Sequence, residues 1–163
     1  MSVISSFLPI KELNYEKAIQ VVHVATSARQ QFLEMLNSGK CYVYGIVIFN
    51  KTLGRIILFT DLDDKDLADG KNICYFSNLW VHPKLRGQKI GTKLVNYVEK
   101  EAKNKGFKYL ALGVHEDNEK NLGIYKHLGF DQFVKNRSQN VFAKDKNGDF
   151  ITVKEYSVFM KKL

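Results

Sequence analysis

Arg86, Gly87, Lys89 and Gly91 lie between an apolar run that ends at Val81 and a helical pattern that begins at Ile90. Pro83 breaks the apolar run, because it has no N–H to give to a sheet. Ile90, Leu94, Val98 and Ala102 then recur every four residues, which is helix spacing. A glycine-bearing loop that offers bare N–H groups at a helix start, with cations beside it, is an anion site. Phosphate is the anion such a loop suits best. The spacing excludes a nucleoside-triphosphate loop, which needs four residues between its glycines and then Lys-Ser/Thr. Here three residues separate Gly87 from Gly91, and Thr92 precedes Lys93. The dinucleotide pattern G-x-G-x-x-G is also absent.

A second group of chemistry-bearing residues lies at Asp117 to Phe130. Asn118 precedes Tyr125 by two helical turns, and Gly129-Phe130 ends the pattern, with Gly129 suited to a left-handed C′ position. Together the two segments resemble the GCN5-related N-acetyltransferases over about residues 73–130. That family's acetyl-CoA loop reads Arg/Gln-x-x-Gly-x-Gly/Ala after a strand ending in a Val-x-Pro-like turn. Arg86, Gln88, Ile90 and Gly91 fit it, and Lys89 stands where glycine is usual. In the second segment Asn121 replaces the usual small Ala.

The resemblance implies a set of roles. Leu79, Trp80, Val81, Arg86, Gly87, Gln88, Lys89, Ile90, Gly91, Thr92, Asn118 and Tyr125 would bind acetyl-CoA, the co-substrate. Backbone at Leu79 and Val81 would meet the acetyl carbonyl and the pantetheine amide, which places a fixed dipole against a developing oxyanion. Arg86 would hydrogen-bond phosphate or close the loop on itself. Asn118 would contact the co-substrate, cap its helix, or both. Tyr125 would be the general acid, since a phenol of reference pKa about 10 keeps its proton at neutral pH and can pass it to a leaving thiolate. Without the likeness, Leu79 and Val81 read as core, and Tyr125 as a side chain packed against Leu128 and Phe130.

No general base stands out. Glu116, Asp61, His115 and a water held by Ser77 or Asn78 all remain open. Cys41 and Cys74 sit in apolar runs without ligand spacing, so they read as buried reduced thiols rather than metal ligands or acyl carriers. His82 reads as a surface residue and His23 as a packed neutral one. No His/Cys/Asp cluster suggests a metal.

The elements that must position these residues follow from pattern. Asn14 is an N-cap for one bent helix or two short ones ending at Gly39. Cys41–Phe49 and Arg55–Thr60 read as a hairpin joined by a turn at 50–54. The acidic stretch from Asp61 to Lys71 reads as an exposed loop. Ile73–Val81 is a long strand, Gln88–Lys105 a helix, and Lys108–Val114 a strand. Two strands, Phe130–Val134 and Val141–Lys144, flank a polar connection. A tight turn at 145–148 leads to a last strand, Phe150–Met160. This predicts an α/β fold with helices on both faces of a mixed sheet. The resemblance adds that the sheet is mostly antiparallel, with one splayed parallel pair.

With 163 residues, 45% of them hydrophobic and 26% charged, the chain suits one domain over residues 1–163. No run reaches the roughly 18 apolar residues of a membrane span, and the N-terminus lacks signal-peptide layout, so a cytoplasmic protein is the expectation. A net charge of +8 fits solubility, steering of a polyanion such as coenzyme A, or nucleic acid. No RNA-binding signature or zinc finger supports the last. The expected activity is acetyl-CoA-dependent N-acetylation of a primary amine by direct attack. Alternatives are a CoA-binding sensor without turnover, and a toxin-like acetyltransferase acting on aminoacyl-tRNA. The acceptor, a small-molecule or peptide amine such as a metabolite, an antibiotic, a polyamine, a protein N-terminus or lysine, or aminoacyl-tRNA, stays open, and so does the oligomeric state, although this family often forms dimers.

Overall fold

The computed structural model describes residues 7–24, 26–115, 117–145 and 148–163. Among the described residues seven strands pair in the order β1-β2-β3-β4-β5-β7-β6, mostly antiparallel with one parallel pair, and four α-helices accompany them. The chain divides into two compact units, Met1–Leu110 with Leu163, and Ala111–Lys162.

The first unit holds β1 (Lys11–Glu12), α1 (Tyr15–Val21), α2 (Thr26–Asn37), β2 (Cys41–Ile48), β3 (Lys51–Phe59), β4 (Ile73–Val81) and α3 (Ile90–Asn104). It also holds the first two residues of β5 (Tyr109–His115). Asn14 caps α1 as expected, its Oδ1 accepting from Lys17 N at 2.9 Å. Two helices form rather than one, and His23 lies exposed beyond α1 instead of packed. Leu13, Ala18, Val21, Val22 and Phe32 pack on Cys41, Val43 and Ile57, which covers one face of the β2–β3 hairpin.

The hairpin turn is tighter than the sequence suggests. Phe49 and Asn50 form it, with φ of 46° and 62°, and Lys51 to Gly54 are already strand. Two consecutive positive φ values are what a two-residue hairpin turn demands to match strand twist. Asn50 tolerates that readily. Phe49 hides the turn because an aromatic residue reads as strand, yet it is 96% exposed.

The acidic segment is more ordered than an exposed loop. Leu67 and Ala68 are buried, and Asp61 and Asp69 bridge its two ends. Asp61 forms ion pairs with Lys40 and Lys65, whose hydrogen bonds hold its carboxyl below the usual range. Asp69 Oδ1 accepts from the N–H groups of Lys71, Asn72 and Ile73 at 2.9, 2.7 and 2.8 Å, which anchors the start of β4. Burial alone would raise the Asp69 pKa, but these donors outweigh it and the net shift is downward.

A carboxylate depressed in the folded state stabilises above its unfolded pKa of about 3.9, and that stability drains away as pH falls through the folded value. Asp69→Ala is therefore expected to cost about 2–3 kcal/mol at pH 7. Urea unfolding at pH 7 and pH 3 checks this. The gap between variant and parent should shrink at pH 3; an equal gap at both would mean the charge contributes nothing.

Cys41 and Cys74 are buried free thiols, both pushed up to about 12 by burial. Cys74 Sγ donates to Tyr109 O at 3.4 Å. Beside it, the N–H groups of Lys108 and Tyr109 share Asn72 O at 2.8 and 3.0 Å, which starts β5 next to β4.

The second unit contains the rest of β5, then α4 (Glu119–His127), β6 (Gln132–Asp145) and β7 (Gly148–Lys162). β6 is one continuous strand, so the polar stretch 135–140 is not a connection. It pairs antiparallel with β7 along its whole length. Cross-strand contacts between polar side chains support it there: Ser138 Oγ donates to Glu155 Oε1 at 2.6 Å, and Ser157 Oγ to Asn136 Oδ1 at 2.9 Å. Of the turn expected at 145–148, residues 146 and 147 lie outside the described residues.

Candidate functional site

β4 carries the first feature of the site, a bulge that its sequence does not announce. Ser77 pairs with Ile57 and Trp80 with Arg55, so Asn78 and Leu79 together oppose the single residue Ile56. Asn78 absorbs the surplus with φ of 54°, a value that asparagine tolerates better than most residues. The bulge changes which side chains share a face. Ser77 lies on the α1/α2 face with Ile57, whereas Leu79 reaches toward Gly91 of α3. A bulge also leaves strand backbone outside the ladder and so available to a ligand.

Past Val81 the chain makes a 3-10 turn at Pro83–Leu85. His82 Nδ1 accepts from Lys84 N at 3.3 Å and caps that turn. Arg86 Nε donates to Val81 O at 3.1 Å, so the arginine does close the loop on itself. Gly87 and Lys89 are both left-handed, with φ of 77° and 61°. Helix α3 accordingly starts at Ile90, where the four-residue apolar period begins, and not at Gln88 as the expected span Gln88–Lys105 had it, because a left-handed Lys89 cannot be its first turn. Lys89 sits at the N-cap without a side-chain cap.

Three groups of donors and cations thus collect at one end of α3. The N–H groups of Ile90, Gly91 and Thr92 have no acceptor inside a helix that starts there. The helix dipole adds a partial positive charge. Arg86 and Lys89 are exposed beside them. In the loop's own wall Gln88 Oε1, an acceptor, is buried without a partner among the described residues. Gly91 keeps the helix start bare, and a Cβ there would meet nothing nearer than Val81 Cγ2 at 3.8 Å. The arrangement fits a phosphate-bearing ligand approaching the helix end on.

The faces of the sheet are set by two glycines. A Cβ on Gly54 would meet Leu94 and Ile90 of α3, so the side chain of the next residue, Arg55, points to the other face. A Cβ on Gly45, which pairs with Arg55, would meet Leu13 on that same opposite face. There the Arg55 guanidinium lies over the Trp80 ring at 5.2 Å, and His82 meets Trp80 edge-on at 6.1 Å. Burial pulls the Arg55 pKa down from its ordinary value. Nothing in the sequence marked Arg55 as a site residue; a lone Arg inside an apolar strand was the available signal.

Asn118 and Tyr125 belong to the second unit, on α4. Asn118 Oδ1 accepts from Asn121 N at 3.3 Å, so it caps the helix. Gly129 is left-handed at φ 94°, as its position after the helix requires, with Phe130 N donating to Tyr125 O at 3.0 Å and Gly129 N to Lys126 O at 3.0 Å. Tyr125 is half-buried and meets Phe130 edge-on at 6.3 Å. His115 Nδ1 accepts from Asp117 N at 3.2 Å, and its ring meets Tyr156 at 5.4 Å. Glu116 lies outside the described residues. Asp61 is already paired with two lysines. Among the described residues no cluster of His, Cys, Asp or Glu could hold a metal, and no helix is long and apolar enough to cross a membrane.

Residues 9–130 match the Acetyltransferase (GNAT) family. Thialysine N-epsilon-acetyltransferase of Mus musculus is 42% identical over 60 residues, 37% of this chain and 35% of that protein. The match therefore spans about a third of the length of that curated relative. The fold resembles the IAA acetyltransferase from Bacillus cereus, with a TM-score of 0.67 at 17% identity over 96% of this chain and 99% of the other. It also resembles a GNAT family acetyltransferase from Elizabethkingia anophelis solved with acetyl-CoA bound, with a TM-score of 0.65 at 18% identity over 96% and 98%. Strand, phosphate-suited loop and helix agree with the family match, and the chain belongs to the GNAT acetyltransferase family.

Proposed function

We propose that this chain is an acetyl-CoA-dependent N-acetyltransferase that moves an acetyl group to a primary amine by direct attack in a ternary complex. The observation that carries the proposal is the loop after β4. Two left-handed residues and a self-tied arginine turn it into a cradle of helix N–H groups, directly after a bulged strand. The N–H groups of Ile90, Gly91 and Thr92, with Arg86, Gly87, Gln88 and Lys89, hold the pyrophosphate. Backbone at Leu79 and Val81 holds the pantetheine arm and polarises the thioester carbonyl. Trp80 walls the acceptor side.

Acetyl-CoA supplies the activated acyl group. The acceptor nitrogen forms the new C–N bond as the C–S bond breaks, the Tyr125 phenol gives its proton to the departing sulfur, and the proton shed by the acylated nitrogen passes to solvent, from which the phenolate is reprotonated. Asn118 fixes the start of the helix that carries Tyr125. An acyl-enzyme route finds little support, because both cysteines are buried and their thiols are pushed up to about 12, which starves them of thiolate.

A thermal-shift titration with acetyl-CoA, with ATP and NAD as controls, tests the reading. A ligand of the native state adds about 2.7 kcal/mol of stability at a hundredfold excess over its Kd. A rise specific to acetyl-CoA is expected. No rise, or an equal rise with ATP, would refute the assignment of the loop.

A further inference from the structure

Among the described residues Arg55 is a cation without a counter-charge: it makes no ion pair, and its Nε is buried with no hydrogen-bond partner. A buried donor left unpaired is costly, and in a native structure it points to a water, an ion or a ligand. Its surroundings narrow the choice. The α3 N-terminus and its phosphate cradle lie toward the opposite face of the sheet, so Arg55 is not one of the loop's cations. Its own face is the one floored by Ser77 and Trp80 and bounded by Leu13. It pairs directly with Trp80, the residue after the bulge, so it stands one position along the sheet from the Leu79 backbone. A guanidinium held over an indole ring by cation–π attraction still has its N–H fork to offer a planar anion.

We propose that Arg55 is a specificity-determining residue of the acceptor site, and that the natural acceptor is a small amine that also carries a carboxylate. This rests on the acetyltransferase reading above. One guanidinium matches one carboxylate in charge and in bidentate geometry. The carboxylate docks on Arg55 over Trp80, and the chain of the substrate runs toward the bulge, which brings its amine to the acyl group.

The test uses matched amines that differ only in the carboxylate: lysine against 1,5-diaminopentane, and 4-aminobutyrate against butylamine. Thiol release from acetyl-CoA gives KM and kcat for each. The wild type should prefer the acid member of at least one pair by about tenfold or more. Arg55→Met should erase that preference by raising the KM of the acid member, with the KM of the neutral member and the acetyl-CoA thermal shift unchanged. Arg55→Lys, which keeps the charge and loses the fork, should fall between. Thermal melts verify that both variants fold. A KM that rises equally for both members would reduce Arg55 to packing over Trp80 and overturn the proposal, as would a wild type with no preference in either pair. A wild type that lacks the acetyl-CoA shift fails the acetyltransferase reading itself and takes the acceptor assignment with it. One that shows the shift without the preference sinks the acceptor assignment alone.

Discussion

Tyr125→Phe is expected to lower kcat by about 10²–10⁴-fold while the KM for acetyl-CoA changes little. The substitution removes one oxygen and keeps the ring, so the edge-on contact with Phe130 at 6.3 Å survives. If Tyr125 donates the proton, the loss falls on the step in which sulfur departs. It should also be selective for leaving-group basicity. A thioester whose thiol is more acidic needs less help, so its rate should fall less. Steady-state kinetics on acetyl-CoA and on an activated thioester reads this directly. An unchanged kcat on both would make Tyr125 a packing residue at the end of α4.

Gly91→Glu is expected to weaken acetyl-CoA binding by roughly a hundredfold or more without loosening the fold. The two effects have opposite signs for a physical reason. A carboxylate in the first turn of a helix is favoured by the dipole by about 0.3–1 kcal/mol, and any residue other than proline is a better helix former than glycine. A Cβ at this position also has room, with Val81 Cγ2 at 3.8 Å and Leu79 Cδ2 at 3.9 Å. On the proposed reading of the loop, the same carboxylate sits where the pyrophosphate approaches. Two unit charges about 4 Å apart repel by about 4 kcal/mol at an effective dielectric constant of 20. Titration calorimetry with coenzyme A and a thermal melt of the free protein separate the terms. Lost binding with an unchanged or raised Tm supports an anion site at the α3 N-terminus. Retained binding would mean that the pyrophosphate lies elsewhere.

The parts of the site that sequence reveals are those whose chemistry is local. A proline, a glycine-bearing loop and a four-residue apolar period lie next to one another from Pro83 to Ala102, and each acts on its near neighbours. Asn14 and Gly129 belong to the same class: a cap and a left-handed exit are set within one helical turn. What stays hidden depends on partners far along the chain. The bulge at Asn78 exists only relative to β3, and nothing in Ser77-Asn78-Leu79 says that Ile56 will face two residues. The polar stretch 135–140 becomes strand because β7 offers it matching hydrogen bonds, not because its residues favour one. Arg55 gains meaning only once Gly54 and Gly45 reveal which way it points.

The surplus residue at Asn78 divides β4 into two segments of opposite phase. Up to Ser77, odd-numbered side chains lie on the α1/α2 face; after Leu79, even-numbered ones do, and Trp80 is the first of them. Had the strand run unbroken, Leu79 and Val81 would lie on the Arg55 face and Trp80 would press into α3. The one asparagine therefore lets a single strand serve two masters, giving aliphatic side chains to the helix whose N-terminus suits a phosphate and an aromatic one to the face proposed for the acceptor. Residues beyond the bulge can then diversify on one face without disturbing packing on the other.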